Sequence, residues 1–98
     1  MSLRLDFRSA AANDLEEAAG WYESKQSGLG RRFLEEINLS LERVQESPLS
    51  FAIAEDEIRR SVVSRFPYCI YFIVETDRVV VIAIVHARRH AHRWKSRL

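Results

Sequence analysis

The first half of the chain carries one strand-like and two helix-like patterns of apolar residues. Residues 3–8 read Leu-Arg-Leu-Asp-Phe-Arg, an apolar–polar alternation that is typical of a strand with one buried face. Two stripes with the spacing of amphipathic helices follow. They are Leu15, Ala18, Ala19 and Tyr22, and then Phe33, Ile37, Leu41 and Val44. Ser27-Gly28 separates the stripes and Ser47-Pro48 ends the second one. We therefore expect a helical hairpin, with its second helix over about residues 30–46.

The second half shows three more strand-like stretches, 58–66, 69–75 and 78–86. The first alternates, which places Ile58, Val62 and Phe66 on one face. The other two are apolar on both faces, which is typical of central strands that are covered on both sides. Thr76-Asp77 makes a tight turn between them. Residues 47–57 have neither pattern and are predicted to form a loop.

The resulting order, β-α-α-β-β-β, predicts an α+β fold in which a helical hairpin packs on a mostly antiparallel four-stranded sheet. Four of the apolar positions are predicted to be core: Ile37, Leu41, Phe72 and Ile82. A length of 98 residues fits one domain over residues 1–98. It ends in a basic tail, from about residue 87, that has no periodicity. The fold is complete before this tail, so removing residues 90–98 is expected to spare it.

Charge is distributed unevenly, although the net charge is only +1. Residues 1–57 hold six Lys/Arg and twelve Asp/Glu, whereas residues 58–98 hold nine and two. A basic side attracts anions and acidic partners. Five arginines of the second half are candidates for one binding face: Arg59, Arg60, Arg65, Arg88 and Arg89. Trp94, in the basic tail, is a candidate for an exposed interface anchor.

Several other features predict a soluble cytoplasmic protein. The N-terminus has no apolar secretion segment, and the longest apolar run, Val79–Val85, is far shorter than the roughly 20 residues that span a bilayer. The single Cys69 lies in an apolar run and is expected to be buried and reduced. His90 and His92 lack a third metal ligand at usable spacing, so no metal or other cofactor is expected.

Short motifs in a fixed order carry a resemblance to a known family. In chain order they are Asp14-Leu15-Glu16-Glu17-Ala18 with Trp21-Tyr22, Gly28-Leu29-Gly30 with Phe33-Leu34, Ser47-Pro48, Arg65-Phe66-Pro67-Tyr68 with Ile70-Tyr71, the Val79–Val85 strand, and His86-Ala87-Arg88-Arg89 followed by Trp94. With this spacing the chain resembles the ParE branch of the ParE/RelE toxins over nearly its whole length. The resemblance implies a toxin of a type II toxin–antitoxin, or plasmid stabilisation, module. ParE-like members are associated with inhibition of DNA gyrase, and RelE-like members cut mRNA on the ribosome.

The residues favour binding over RNA cleavage. Metal-free cleavage needs a base, an acid and cations around the phosphate. RelE-like cleaving members resemble one another in basic residues before the second strand, an Arg on the last strand and a Tyr in the tail. Here the loop is Glu55-Asp56-Glu57, which repels phosphate, and Trp94 stands where the Tyr is expected. Indole has no acid or base function near neutral pH. If the chain is a nuclease, Arg88 with His86 or His90 is expected to carry the reaction.

The leading hypothesis is therefore a toxin that inhibits DNA gyrase by contact and has no catalytic activity. A cognate antitoxin from the adjacent gene is the expected partner, in a hetero-oligomer or beside a toxin homodimer. Two alternatives stay open: a ribosome-dependent mRNA endonuclease, and an inactive toxin that only binds its antitoxin. Trp21, Tyr22 and Phe33 are expected to form the seam of the helical hairpin.

Overall fold

The computed structural model describes residues 3–97. Leu98, in the predicted tail, and residues 1 and 2 of the predicted domain lie outside this range. In chain order the strands and helices are β1 (Arg4–Phe7), α1 (Ser9–Lys25), α2 (Leu29–Glu46), β2 (Ile53–Glu55), β3 (Ile58–Val62), β4 (Tyr68–Val74) and β5 (Arg78–His86). Short 3-10 helices cover Pro48–Ser50 and Arg93–Arg97.

The five strands form one sheet in the order β1-β5-β4-β3-β2. β1 runs parallel to β5, and every other neighbouring pair is antiparallel. The hairpin of α1 and α2 packs on one face of this sheet. The predicted α+β architecture is therefore confirmed, with five strands in place of four. No helix within residues 3–97 is long and apolar enough to cross a membrane.

β2 is the strand that the apolar pattern fails to predict, and the expectation of a loop throughout 47–57 is wrong here. The strand has only three residues and lies at the sheet edge. Ile53 is 57% exposed, so burial imposes no alternation on the sequence. Asp56, at a φ of 50°, makes the tight turn into β3.

β3 ends earlier than predicted, at Val62. Arg65 adopts a φ of 70° in the turn that follows, which breaks the alternation expected to continue to residue 66. Val62 is 66% exposed, whereas Val63 is buried and Phe66 packs on the helical side. Ile58 and Val62, four residues apart in β3, do share a face, but Phe66 does not lie on it, so the predicted common face is wrong for Phe66.

The four core residues predicted by the pattern are all buried. Ile37, Leu41 and Phe72 lie between the helices and the sheet, and Ile82 lies on the opposite face of the sheet. Tyr22 and Phe33 form the hairpin seam, with ring centroids 5.2 Å apart. Phe66 and Tyr68 complete this aromatic cluster. Trp21 is the exception to the predicted seam, because it is 44% exposed.

The close approach of α1 and α2 depends on Gly30. A Cβ on Gly30 would lie 2.6 Å from the Ala19 carbonyl oxygen, which is backbone and cannot move aside cheaply. We expect Gly30→Ala to lower the free energy of unfolding by about 1–3 kcal/mol, measured by chemical denaturation. Gly20 is the matched control, since a Cβ there meets nothing within 4 Å. Gly20→Ala is expected to raise stability by up to about 1 kcal/mol. Equal effects at the two positions would contradict this account.

Candidate functional site

The C-terminal segment, defined as residues 87–97, folds back over the sheet face opposite the helices. Trp94 is only 4% exposed and stacks on Tyr71, with ring centroids 4.8 Å apart and an interplanar angle of 16°. The same layer holds the apolar side chains that β4 and β5 turn away from the helices. The expectation of an exposed Trp94 is therefore wrong. The physical reason is that these two strands are apolar on both faces, so the second face needs a cover.

Asp14 is the main anchor of this segment. It is 5% exposed on α1 and accepts the backbone N–H of Ile84 at 3.0 Å. The guanidinium of Arg97 bonds both carboxylate oxygens, at 2.5 and 3.0 Å. Arg93 lies 3.5 Å from the same carboxylate. The hydrogen bonds that Arg97 donates to Asp14 raise the pKa of Arg97 above its ordinary value.

Further contacts hold the segment near both edges of the sheet, next to β1 and at β2. Arg97 donates to the carbonyl of Ile82, and Arg8 donates to the carbonyl of Arg97, both at 3.1 Å. Lys95 pairs with Glu55 of β2 at 3.6 Å. The segment thus packs against the sheet and against α1, so we expect removal of residues 90–98 to destabilise the fold rather than to spare it. These contacts also pair part of the basic second half with the acidic first half.

A cavity of about 160 Å³, named here the α1–β5 cavity, lies where α1 passes the end of β5. Its lining includes Trp21, Tyr68, His86, Arg89 and His90. The Nδ1 atom of His86 accepts the backbone N–H groups of Arg88 and Arg89, each at 3.1 Å. Burial, with the neighbouring positive charge of Arg89, lowers the pKa of His86. Burial raises the pKa of Tyr68. Both side chains are therefore neutral near pH 7, and His86 carries its hydrogen on Nε2.

A second cavity, named the open-face cavity, has a volume of about 340 Å³ and lies beside Trp94. Glu55, Arg60, Tyr71 and His92 are among its lining residues. The predicted nuclease set is consequently divided. His86 and His90 line the α1–β5 cavity, whereas Arg88 lies exposed on the turn after β5 and lines neither.

The five arginines proposed as one basic face lie on separate surfaces, so that expectation is wrong. Arg59 pairs in register with Phe72, and Arg60 with Tyr71, which places them on opposite faces of the sheet. Arg59 donates to the Phe51 carbonyl at 2.7 Å. Arg65 lies beside α2. Only Arg88 and Arg89 are neighbours, at the end of β5.

None of these five arginines forms an ion pair with a carboxylate within the described range 3–97. Their charge is therefore available to a partner. The same part of the chain contains no cluster of three or more side chains that could hold a metal ion. Cys69 is buried, and burial raises the pKa of its thiol, which makes it unreactive.

Sequence reasoning missed three residues of this region. Asp14 interrupts the buried stripe of α1, between Ala11 and Ala18, and a charge at such a position is the signal that it is paired. The apolar pattern predicts Trp21 at the hairpin seam, but its ring lies 5.1 Å from the Lys25 ammonium and 5.4 Å from the Arg89 guanidinium. Tyr68 could not be placed at the cavity from its strand pattern alone.

Solved structures of other proteins share this fold. The chromosomal ParDE system of P. aeruginosa matches with a TM-score of 0.74 and 18% identity, over 87% of this chain and 96% of that one. The RelBE2 toxin–antitoxin complex of Mycobacterium tuberculosis matches with a TM-score of 0.61 and 14% identity, over 88% and 99%. A double mutant of the E. coli toxin RelE in the free state matches with a TM-score of 0.61 and 20% identity, over 99% and 94%. The fold is that of toxins from toxin–antitoxin systems.

The family follows from a sequence model. The model described as the ParE toxin of the type II toxin–antitoxin system, parDE, matches residues 5–91. The chain therefore belongs to the ParE toxin family, and the resemblance seen in its motifs is confirmed. It is a toxin of a type II toxin–antitoxin system. A search of curated proteins finds no match.

Proposed function

We propose that this toxin acts by binding and inhibiting DNA gyrase, without cutting RNA, and that a cognate antitoxin neutralises it. The observation that carries the proposal is the burial of Trp94 against Tyr71. At the position where cleaving members carry a tail Tyr, this chain has a structural indole that covers the sheet. It offers no proton to a leaving group.

The distribution of charge supports the same proposal. Glu55 lines the open-face cavity together with Arg60, so a phosphate entering there meets a carboxylate as well as a guanidinium. The nearby Lys95 is already paired with Glu55. Stabilisation of a developing phosphorane charge needs several converging cations, which this surface does not provide.

The contact surface proposed for the gyrase target is the end of β5. Arg88 and Arg89 are exposed there, and neither is paired with a carboxylate inside the described residues. Trp94 contributes by holding the C-terminal segment in place. Arg60 and Arg65, on other surfaces, are candidates for separate contacts.

A ribosome-dependent endonuclease is the second candidate function. One observation favours it: His86, His90, Arg89 and Tyr68 all line the α1–β5 cavity. Imidazole, guanidinium and phenol are groups that RNA cleavage can use. Arg88 and Trp94, however, lie outside this cavity, so the pattern of the cleaving members is not reproduced.

The test compares the two activities with one preparation of purified toxin. We expect inhibition of supercoiling by purified gyrase at micromolar toxin, and no codon-positioned cuts in mRNA from a translating extract read by primer extension. Added antitoxin should relieve the inhibition. Cleavage that disappears in His86→Ala or His90→Ala would support the endonuclease instead. Antitoxin binding without either activity would mean an inactive toxin.

A further inference from the structure

We infer that the α1–β5 cavity binds one carboxylate side chain, aspartate or glutamate, of the antitoxin polypeptide. The inference rests on the antitoxin part of the proposed function and is independent of whether the toxin acts on gyrase or on mRNA. It concerns a site for a partner residue.

The hydrogen-bonding groups of the cavity are mostly donors. Nδ1 of His86 is occupied by two backbone N–H groups, so the imidazole presents its Nε2–H. The hydrogen bonds around the cavity, within residues 3–97, leave the Tyr68 hydroxyl and the Arg89 guanidinium without an acceptor. The His86 Nε2–H, the Tyr68 hydroxyl and the Arg89 guanidinium are therefore donors without an acceptor among the described residues. A carboxylate has two oxygens that can accept such hydrogen bonds.

Asp14, a buried carboxylate in the cavity lining, does not serve as the acceptor for these donors. Both oxygens of Asp14 are bonded by Arg97, and one also accepts the Ile84 N–H. Its carboxylate is therefore committed to the C-terminal segment. Glu17 also lines the cavity, but it lies exposed on α1.

The local charge selects a single anion. Arg89, Arg93 and Arg97 stand against the carboxylates of Asp14 and Glu17, which leaves one positive charge. Lys25 and Glu16, also on α1, add one charge of each sign and leave this balance unchanged. One carboxylate neutralises it. A nucleic acid would bring further phosphates against Glu17 and the neighbouring Glu16 on the exposed side of α1, and like charges at such distances repel. The charge balance therefore favours an acidic residue of a polypeptide over RNA or DNA.

Trp21 supplies the apolar part of the recognition. Trp21 is 44% exposed, and its ring lies 5.1 Å from the Lys25 ammonium and 5.4 Å from the Arg89 guanidinium. Exposed tryptophan next to arginine is a composition enriched in the energetic centre of protein interfaces. A polypeptide brings methylene groups for the indole together with the carboxylate, whereas a free anion brings only charge.

The first experiment measures antitoxin affinity by calorimetry for two neighbouring variants. Arg89→Ala removes the cavity guanidinium and is expected to weaken binding about 10- to 100-fold, the usual loss for a hydrogen bond to a charged group. Arg88→Ala is the matched control, because it removes the same charge from an exposed residue that lines no cavity. Its expected loss is less than about 3-fold. Equal losses would show a long-range charge effect and overturn the site.

A double-mutant cycle identifies the partner residue. Each acidic residue of the antitoxin is replaced by its amide and combined with Arg89→Ala. One Asp or Glu should lose most of its contribution in the Arg89→Ala background, while the others add independently. Tyr68→Phe, which removes only the hydroxyl, should show coupling to the same residue. A cycle in which no acidic residue couples to Arg89 overturns the inference.

A small-probe titration decides the matter without the antitoxin. N-acetyl-glutamate α-amide, which carries only the side-chain carboxylate, and inorganic phosphate are titrated into the toxin while the His86 imidazole and Trp21 indole signals are followed by NMR. Saturable shifts with N-acetyl-glutamate α-amide, lost in Arg89→Ala, are expected. If phosphate binds more tightly than the glutamate probe, the cavity is a phosphate site and the inference of a carboxylate ligand is overturned. If the probe binds but the antitoxin does not, the proposed function fails while the cavity's chemistry stands.

Discussion

Replacing Trp94 with alanine is expected to lower the free energy of unfolding by about 3–5 kcal/mol, the usual cost of removing a large buried aromatic side chain. Trp94 is almost fully buried, and its ring stacks directly on Tyr71 of β4. Its loss would uncover the apolar face of the two central strands. A small domain has only about 5–15 kcal/mol of total stability, so this loss would be large. Urea unfolding followed by circular dichroism measures it.

Lys95→Ala is the control for this prediction. Lys95 is the next residue of the same 3-10 helix, but its ion pair with Glu55 is solvent-exposed on both sides. Such a pair contributes at most about 1 kcal/mol. An unchanged unfolding midpoint in Trp94→Ala would mean that the C-terminal segment does not pack on the sheet. In that case Trp94 would again be a candidate for the exposed anchor that the charge pattern suggests.

Most of the fold can be predicted from the sequence because burial imposes a period on it. The stripe of α2 must face the sheet, and Ile37 and Leu41 stand at helical spacing for that reason. β2 has no such constraint, because its three residues form a largely exposed edge. The end of β3 is set by the backbone conformation of Arg65, which side-chain polarity does not encode.

The C-terminal segment is a more instructive failure. Its basic composition suggests a solvated tail, yet β4 and β5 are apolar on both faces and the helices cover only one. The second apolar face therefore needs a cover, and residues 87–97 provide it. Basic composition alone does not reveal this requirement.

The candidate site was harder to predict than the fold, because its residues come from distant parts of the chain. Trp21 and Arg89 are close only when α1 lies beside the end of β5. The five arginines come from two short stretches of sequence, 59–65 and 88–89, but successive residues of a strand face opposite sides of the sheet. Arg59 and Arg60 are separated for this reason.

Asp14→Ala is expected to be as damaging as the loss of Trp94, with a decrease of about 3–5 kcal/mol in the free energy of unfolding. β1 pairs with β5 only up to Val81, and beyond that point Asp14 accepts the Ile84 N–H. Alanine would leave this buried donor unpaired. It would also leave the guanidinium of Arg97, only 18% exposed, without its carboxylate.

The control for Asp14 is Asp6→Ala. Asp6 also contacts two arginines, at 2.7 Å to Arg78 and 3.3 Å to Arg4, but its carboxylate faces solvent. Water replaces those contacts, so Asp6→Ala is expected to lose only a small fraction of what Asp14→Ala loses. In Asp14→Ala the C-terminal segment should also loosen, and trypsin should cut it after Arg89 and Arg93 faster than in the wild-type protein. Asp14 is the only buried carboxylate that accepts hydrogen bonds from Arg97 within residues 3–97, so its removal must change stability or proteolysis if it holds the segment. Equal stability of the two variants, with unchanged proteolysis, would therefore show that Asp14 does not hold the segment.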